Sequence, residues 1–376
     1  MNLLLITTFP SSLKLWNELG ILEREISPYK KLAYNKNIKI RIITFGNEDD
    51  TKFVDSLGNI ELIPAFKHFG KLEKIFGKML LSIFIPFRFK NIFLKSDIIK
   101  HNQFWGSWVG YIAKFFYRKK LIIRNGYNYF RFQKQKGRSK LFIAILKTIS
   151  KIILYYADQI IVTTREMKSH FIEDFKLNEE MIHVVPNFID MTLFKKEKVN
   201  KKKEILIVGR LTKQKNLEQL FKLISNCEYK INIIGDGNIS YYKNLAEKYN
   251  LKTKFIKNIE NKNLKNYFNS SSIYIIYSLY EGNPKSLLEA MSCEMNIIAS
   301  NVEGIKDIIT NNVNGILVDL GDPIINNHIH ELMTNDKKSN ELGNNARSSV
   351  KKSNAIQNIV KKFQLIYESH INLNAK

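Results

Sequence analysis

The residues of this chain best suited to chemistry are two acids and two cations at strand ends. In Glu281-Gly-Asn-Pro-Lys-Ser-Leu-Leu-Glu289 two carboxylates bracket seven residues. The apolar run Ile273–Tyr280 before them reads as a buried parallel strand. Ser286–Cys293 reads as a helix with Leu287, Leu288 and Met291 on its apolar side. Glu281 then stands at the carboxyl end of a strand, and Glu289 about two turns along the next helix. Open α/β sheets bind ligands at the carboxyl ends of their strands. A carboxylate there can hydrogen-bond sugar hydroxyls, and the helix N-terminus can face phosphate. The plain alternative is a turn acid followed by a solvated helix glutamate.

The second cluster lies upstream. Glu204–Leu211 reads as a strand ending in Gly209-Arg210, followed by a loop through Thr212–Asn216 and an amphipathic helix over Leu217–Ile224. Arg210 and Lys215 flank that loop, and a guanidinium beside an ammonium suits a diphosphate. Gly209 permits close approach of the backbone to a ligand. A third strand, Lys230–Ile234, runs into Gly235-Asp236-Gly237, which taken alone reads equally well as a tight turn.

Taken in order, Gly209-Arg210-Leu211, Lys215-Asn216, Gly235-Asp236-Gly237 and Glu281-Gly282 with Glu289 resemble the retaining nucleotide-sugar glycosyltransferases of glycosyltransferase family four. Val184-Val-Pro-Asn187 with Ile189-Asp190, Ser300-Asn-Val-Glu-Gly304 and Asn314–Val318 fit the same resemblance. It is strong over residues 183–320 and weaker in the first half. It implies a GT-B fold: α/β, with two Rossmann-like doubly wound parallel-sheet domains facing a central cleft. The donor, a nucleotide diphosphate-sugar, would be held mainly by the second domain. The resemblance places Arg210 and Lys215 on the diphosphate as charge builds on the leaving group. Gly235, Asp236 and Gly237 would approach the nucleotide, and Glu289 the ribose hydroxyls. Glu281 with Gly282, Asn283, Pro284, Lys285 and Ser286 would hold the transferred sugar. The acceptor would attack the face from which the leaving group departs, retaining configuration, with the leaving phosphate as proton acceptor. No cofactor is expected. No metal is expected either, because the chain has no Asp-x-Asp at a strand end and no His/Cys ligand cluster. In the first half, His101 follows a strand and reads either as a catalytic group near donor and acceptor or as a structural histidine. Arg124 and Asn125 end the next strand and could meet acceptor phosphate or carboxylate. The family usually has a Gly-Gly loop near the N-terminus; here only Gly20 is carried over to donor binding.

These groups need a framework of strands alternating with helices, which implies doubly wound parallel sheets. The expected strands are Leu3–Thr7, Lys39–Phe45, Asn59–Pro64, Asp97–Asn102, Leu121–Asn125 and Gln159–Thr164, then Ile205–Gly209, Tyr229–Gly235, Thr253–Lys257, Ile273–Ser278, Asn296–Ser300 and Gly315–Asp319. Residues 1–187 form the expected acceptor domain and 188–354 the donor domain, with the charged stretch Lys195–Glu204 as connection. The last segment, 355–376, carries Ile359, Phe363 and Ile366 at helical spacing. It either crosses back to the first domain, as the resemblance implies, or caps the second. A length of 376 residues fits two domains, and 44% hydrophobic residues fits ordinary cores. Two cysteines, Cys227 and Cys293, provide no disulfide framework, so a reducing cytoplasm is the simplest setting. Met1–Thr7 reads as a first strand rather than a signal peptide. Without an apolar window of about 18 residues, a membrane-spanning helix is not expected.

Charge is distributed unevenly. The chain carries +24, and residues 62–157 hold 20 Lys and Arg against Glu73 and Asp97, a local balance of +18. Aromatic residues from Phe66 to Phe132 are interleaved with that charge. Two segments read as basic and amphipathic: Phe66–Lys95, and Arg138–Tyr156 with Leu141, Ile145, Ile149 and Ile152 on one side and Lys140, Lys147 and Lys151 elsewhere. An anionic bilayer surface is the partner such a pattern suits. A lysine-rich solvated face and a nucleic-acid patch are the alternatives, and the chain has no nucleic-acid motif. The combined reading is transfer of a hexose or N-acetylhexosamine to a membrane-linked glycan or lipid acceptor in bacterial cell-envelope polysaccharide synthesis (lipopolysaccharide, O-antigen or capsule). Such a protein would sit on the cytoplasmic face of the membrane. A nucleotide-sugar epimerase of the same fold and a non-catalytic membrane-surface binding protein are the competing readings.

Overall fold

Thirteen strands form two all-parallel sheets in the computed structural model, which describes residues 1–69, 74–126, 137, 139–257 and 259–372. The first sheet contains β1 (Asn2–Ile6), β2 (Lys39–Thr44), β3 (Ile60–Pro64), β4 (Ile98–His101), β5 (Lys120–Asn125), β6 (Gln159–Val162) and β7 (Ile182–Val184), in the order β3-β2-β1-β4-β5-β6-β7. The second contains β8 (Lys202–Val208), β9 (Lys230–Ile234), β10 (Thr253–Ile256), β11 (Ser271–Ile276), β12 (Asn296–Ser300) and β13 (Ile316–Val318), in the order β10-β9-β8-β11-β12-β13. Both sheets follow the doubly wound pattern, whose strand order reverses between the first and fourth strands. The expected fold class is borne out, and each of the twelve expected strands is present. The additional strand, β7, is a three-residue edge strand directly before Val185-Pro186. It is too short to show a periodic signal.

The strands are apolar on both faces because helices cover both faces of a parallel sheet. Leu3–Ile6 and Ile297–Ala299 are almost wholly buried. In the first unit Leu4, Ile6, Ile99, Ile123 and Ile160 share one core. In the second, alternate residues of β8 and β11 feed opposite layers: Ile205 and Ile275 one, Leu206 and Tyr274 the other.

The chain divides at Val185–Pro186, and residues from Ile359 onward belong with the first unit. The charged stretch Lys195–Glu204 is therefore not the connection. It lies inside the second unit, where the Glu197 amide donates to Asn269 at 2.8 Å and Lys202–Glu204 open β8. The final helix, Ile356–Asn372, begins in the second unit and buries Ile359, Phe363 and Tyr367 in the first. Phe66–Lys95 is not one helix. It breaks into helices Ile75–Ser82, Ile85–Arg88 and Lys90–Leu94, with Pro86 opening the second because proline cannot donate within a continuing helix. Glu73 and the aromatics Tyr127, Tyr129, Phe130 and Phe132 lie outside the described residues. No helix among the described residues is long and apolar enough to cross a membrane.

Candidate active site

β8 and β11 are hydrogen-bonded neighbours on either side of the point where the second sheet's order reverses. The loops leaving their carboxyl ends therefore meet, and this is where doubly wound sheets bind ligands. Two reciprocal contacts join the loops: the Leu279 amide donates to the Gln214 carbonyl at 2.8 Å, and Gln214 Nε2 donates to the Tyr280 carbonyl at 2.9 Å.

Lys215 and Glu281 face each other across this junction. Lys215 Nζ donates to Glu281 Oε1 at 2.6 Å, with both side chains mostly buried. Ser278 Oγ donates to the same oxygen at 2.7 Å. A Cβ at Gly209 would lie 2.7 Å from Lys215 Cε. Gly209 thus leaves the passage through which the lysine reaches the acid, a role different from the backbone–ligand approach read from sequence. Gly235 has a comparable role. A Cβ there would come within 2.0 Å of the Gly209 carbonyl oxygen, so its absence allows two strand-end loops to touch. Gly237 pairs with Leu211, whose amide donates to the Asp236 carbonyl at 2.7 Å. The Gly-Asp-Gly turn therefore braces the Arg210 loop, while the Arg210 and Asp236 side chains remain exposed.

The acid-to-acid segment is held from beneath. Asn187 donates its amide to Asn283 Oδ1 at 2.9 Å and its Nδ2 to the Asn283 carbonyl at 2.6 Å, and Asn354 donates to the Asn187 carbonyl at 2.8 Å. The Asn283 side-chain oxygen and carbonyl are consequently engaged in structure. Pro284 is the N-cap of the Lys285–Ser292 helix and is buried. Ser286 Oγ accepts from Tyr274 at 2.8 Å, and burial raises that phenol's pKa. Lys285 Nζ stands 5.1 Å above the Phe188 ring. Gly304, expected only as part of a motif, presses its backbone on the Gly282 carbonyl: a Cβ would lie 2.0 Å from that oxygen. Glu289 sits in the second turn of the helix, 3% exposed, and accepts from Asn261 Nδ2 at 2.9 Å. Sequence reasoning missed Ser278, Gln214 and Asn261. Ser278 had a signal, being a small polar residue ending an apolar strand; Asn261 had none.

The first unit departs further from expectation. His101 is fully buried at the end of β4, and its Nε2 accepts the Gly110 amide at 3.0 Å. Burial, reinforced by the neighbouring Lys100, pushes its pKa down to about 3. It is therefore held as a neutral imidazole, packed against Gly110. Gly20, with φ +64°, closes the turn after the Leu13–Glu18 helix, its amide donating to the Asn17 carbonyl, and does not form a donor loop after β1. Arg124 is 9% exposed, and its charge, after burial, holds the fully buried Lys100 well below the usual lysine range. Lys100 donates to Tyr29 and lies 4.8 Å from the Phe363 ring. Asn125 is buried with Oδ1 lacking a protein partner. Lys140 and Lys151 are exposed on the helix Lys140–Tyr155, whereas Lys147 pairs with Asp174 at 2.5 Å.

Comparison with known proteins bears on family and fold. Residues 34–193 match the family model described as Glycosyltransferase Family 4, and residues 189–349 match Glycosyl transferases group 1. An uncharacterized glycosyltransferase of Methanocaldococcus jannaschii is 28% identical over 277 residues, covering 68% of this chain and 70% of that protein. The UDP-Gal:alpha-D-GlcNAc-diphosphoundecaprenol alpha-1,3-galactosyltransferase of Escherichia coli is 29% identical over 232 residues, 55% of this chain and 58% of that protein. Among solved structures, sucrose-phosphate synthase from Thermosynechococcus elongatus superposes with TM-score 0.78 at 18% identity, covering 99% of this chain and 100% of that one. That likeness is one of fold.

Proposed function

We propose that this GT-B glycosyltransferase moves a hexose or N-acetylhexosamine from a nucleoside diphosphate-sugar to a lipid-linked glycan, with retention at the anomeric carbon and without a metal. The observation that carries the reading is the junction at the β8/β11 switch point, where Lys215, Glu281 and Ser278 form one hydrogen-bonded cluster beside exposed Arg210. A diphosphate entering there exchanges the Glu281 contact of Lys215 for a phosphate oxygen. It gains the Arg210 guanidinium as charge grows on the leaving group. Glu281, released from the lysine, is then available to accept from sugar hydroxyls while Ser278 holds its other lone pair. Glu289, already positioned by Asn261, accepts from the ribose. The Escherichia coli relative uses a UDP-sugar and an undecaprenol-linked acceptor by name, and this supports the same substrate classes here. Assembly of a bacterial envelope polysaccharide at the inner face of the membrane is the corresponding context.

The test is a donor panel incubated with a lipid extract, with nucleotide release and lipid-bound sugar followed together. Release that depends on the lipid fraction and yields a labelled, α-configured product supports the reading. Conversion of donor to its epimer without any acceptor would replace it with the epimerase alternative.

A further inference from the structure

Exposed apolar side chains are concentrated in one part of the first unit. Of the 26 large hydrophobic residues exposed among the described residues, 16 lie between residues 75 and 156. Single exposed leucines are ordinary, but a concentration of this kind marks an interaction surface. The helix Lys140–Tyr155 turns Leu146, Ser150, Ile153 and Leu154 inward. Leu141, Ile145, Ile149 and Ile152 form a second stripe, 46–72% exposed, on the opposite side. Phe76, Leu80, Ile83, Phe84 and Phe87 repeat the three- and four-residue spacing across the helices Ile75–Ser82 and Ile85–Arg88, 40–65% exposed.

Aromatic contacts join these pieces. Phe87 meets Phe116 at 5.0 Å, and Phe116 meets Phe115 at 5.2 Å. Tyr111, one turn before Phe115 on the Trp108–Tyr117 helix, meets Tyr156 at 5.7 Å, and Tyr156 meets Tyr155. The charge around this face is complementary to an anion. Between residues 74 and 157 the only acid is Asp97, and its carboxylate accepts the Asn2 amide at 2.7 Å. Arg88, Lys90, Arg118, Lys140 and Lys151 have no ion-pair partner among the described residues.

We propose that this face inserts into the interfacial layer of an anionic bilayer. The Lys140–Tyr155 helix lies in the membrane plane with its outer stripe among the acyl chains. Arg88, Lys90, Lys140 and Lys151 reach back to the lipid phosphates. Adhesion is then mixed: charge selects the anionic surface, and apolar burial supplies a part that salt does not screen. The inference rests on the lipid-linked acceptor reading and specifies the surface that meets the lipid.

Vesicle flotation of the full chain tests it, using pure phosphatidylcholine and phosphatidylcholine mixed with phosphatidylglycerol, at low and high salt. The parent should float with the mixed vesicles at low salt and retain part of that binding at high salt. The triple variant Leu141→Ser, Ile145→Ser, Ile149→Ser should lose at least about tenfold in partitioning at both salts, since three interfacial apolar contacts are removed. Lys140→Glu with Lys151→Glu should lose the preference for anionic lipid. Ile149→Trp, in an otherwise unchanged chain, should show a blue shift of its emission with vesicles, and this decides the matter if the triple variant does not fold. Three results overturn the proposal: no binding to either vesicle; binding that salt abolishes and the triple variant leaves unchanged; or a dimer in solution that the triple variant converts to monomer while vesicle binding persists, which would make a second copy the occupant. Donor turnover measured alongside keeps the two readings apart. Vesicle binding without turnover would sink the transferase and leave the surface standing; turnover on the lipid acceptor without insertion would do the reverse.

Discussion

Lys215 is held by an acid, and that defines what its loss should do. Lys215→Ala removes both the diphosphate contact and the counter-charge of Glu281, which is left mostly buried with Ser278 still donating to it. Turnover should fall about 10²–10³-fold, the range for removing a charge-assisted contact to a leaving group. Arg210→Ala, at an exposed side chain, should lower the rate with little effect on melting temperature. Steady-state rates near the parent's in either variant would remove the phosphate role. Glu289→Ala should weaken the free nucleoside diphosphate by about ten- to a hundredfold, measured by calorimetry, because a buried carboxylate acceptor is lost. Unchanged affinity would exclude the ribose contact. His101 gives a pH prediction at the same scale. Its imidazole takes up a proton near 6.5 in the unfolded chain but only near 3 in the folded one. The folded state therefore binds fewer protons between those values. The contribution of His101 is complete above pH 6.5 and is lost as pH falls toward 3, by up to about 1.4 kcal/mol per pH unit. His101→Gln, which keeps an acceptor for the Gly110 amide, should flatten the acid side of the denaturation-midpoint profile; an identical slope would show that the histidine is already protonated in the fold.

At the scale of elements, most of the molecule was legible in the sequence and the roles of its glycines were not. Buried parallel strands are written as runs of Ile, Leu and Val, so twelve of the thirteen were readable one at a time. The motif residues at strand ends could likewise be placed beside one another once the sheet order was assumed. What one strand-end loop does to another has no local signature. Gly235 is needed because the Gly209 carbonyl lies against it, 26 residues earlier in the chain. Asn187 fixes the Glu281–Glu289 segment through Asn283, across 96 residues. His101 could be read from sequence either as a catalytic group, through the family resemblance, or as a structural histidine, and only packing shows that Gly110 covers it. The Asn187 clamp leads to its own test. Asn187→Ala removes the side-chain hydrogen bond to the buried Asn283 carbonyl and keeps the backbone one to Asn283 Oδ1, so that carbonyl loses a donor and stability should drop by about 1–3 kcal/mol. If the clamp also orients Glu281 and Glu289, turnover should fall more than stability alone explains at temperatures where the variant remains folded. Full activity in the folded variant would confine Asn187 to a structural role.

For the whole molecule, the consequential feature is that the last helix completes the first unit with residues from the far end of the described chain. Ile359, Phe363 and Tyr367 are 0–4% exposed there, and Phe363 covers the buried Lys100 beside Tyr29. Burial of three such side chains is worth on the order of 5 kcal/mol as an upper figure, close to the entire stability of many domains. The same contact confines Lys100 to a site that disfavours its ammonium, so the helix also determines whether that lysine is dry or solvated. A chain ending at Asn358 should therefore lose the cooperative unfolding of the first unit, and protease sites in residues 1–185 should become accessible. The second unit carries Arg210, Lys215, Glu281 and Glu289 and draws its core from residues 186–358 alone. It should keep its own transition and still bind a nucleoside diphosphate in calorimetry, while sugar transfer disappears. If the shortened chain resists proteolysis in residues 1–185 as well as the parent does, the final helix is only a cover on the first unit. If it loses nucleotide binding as well, the donor residues depend on more than the second unit.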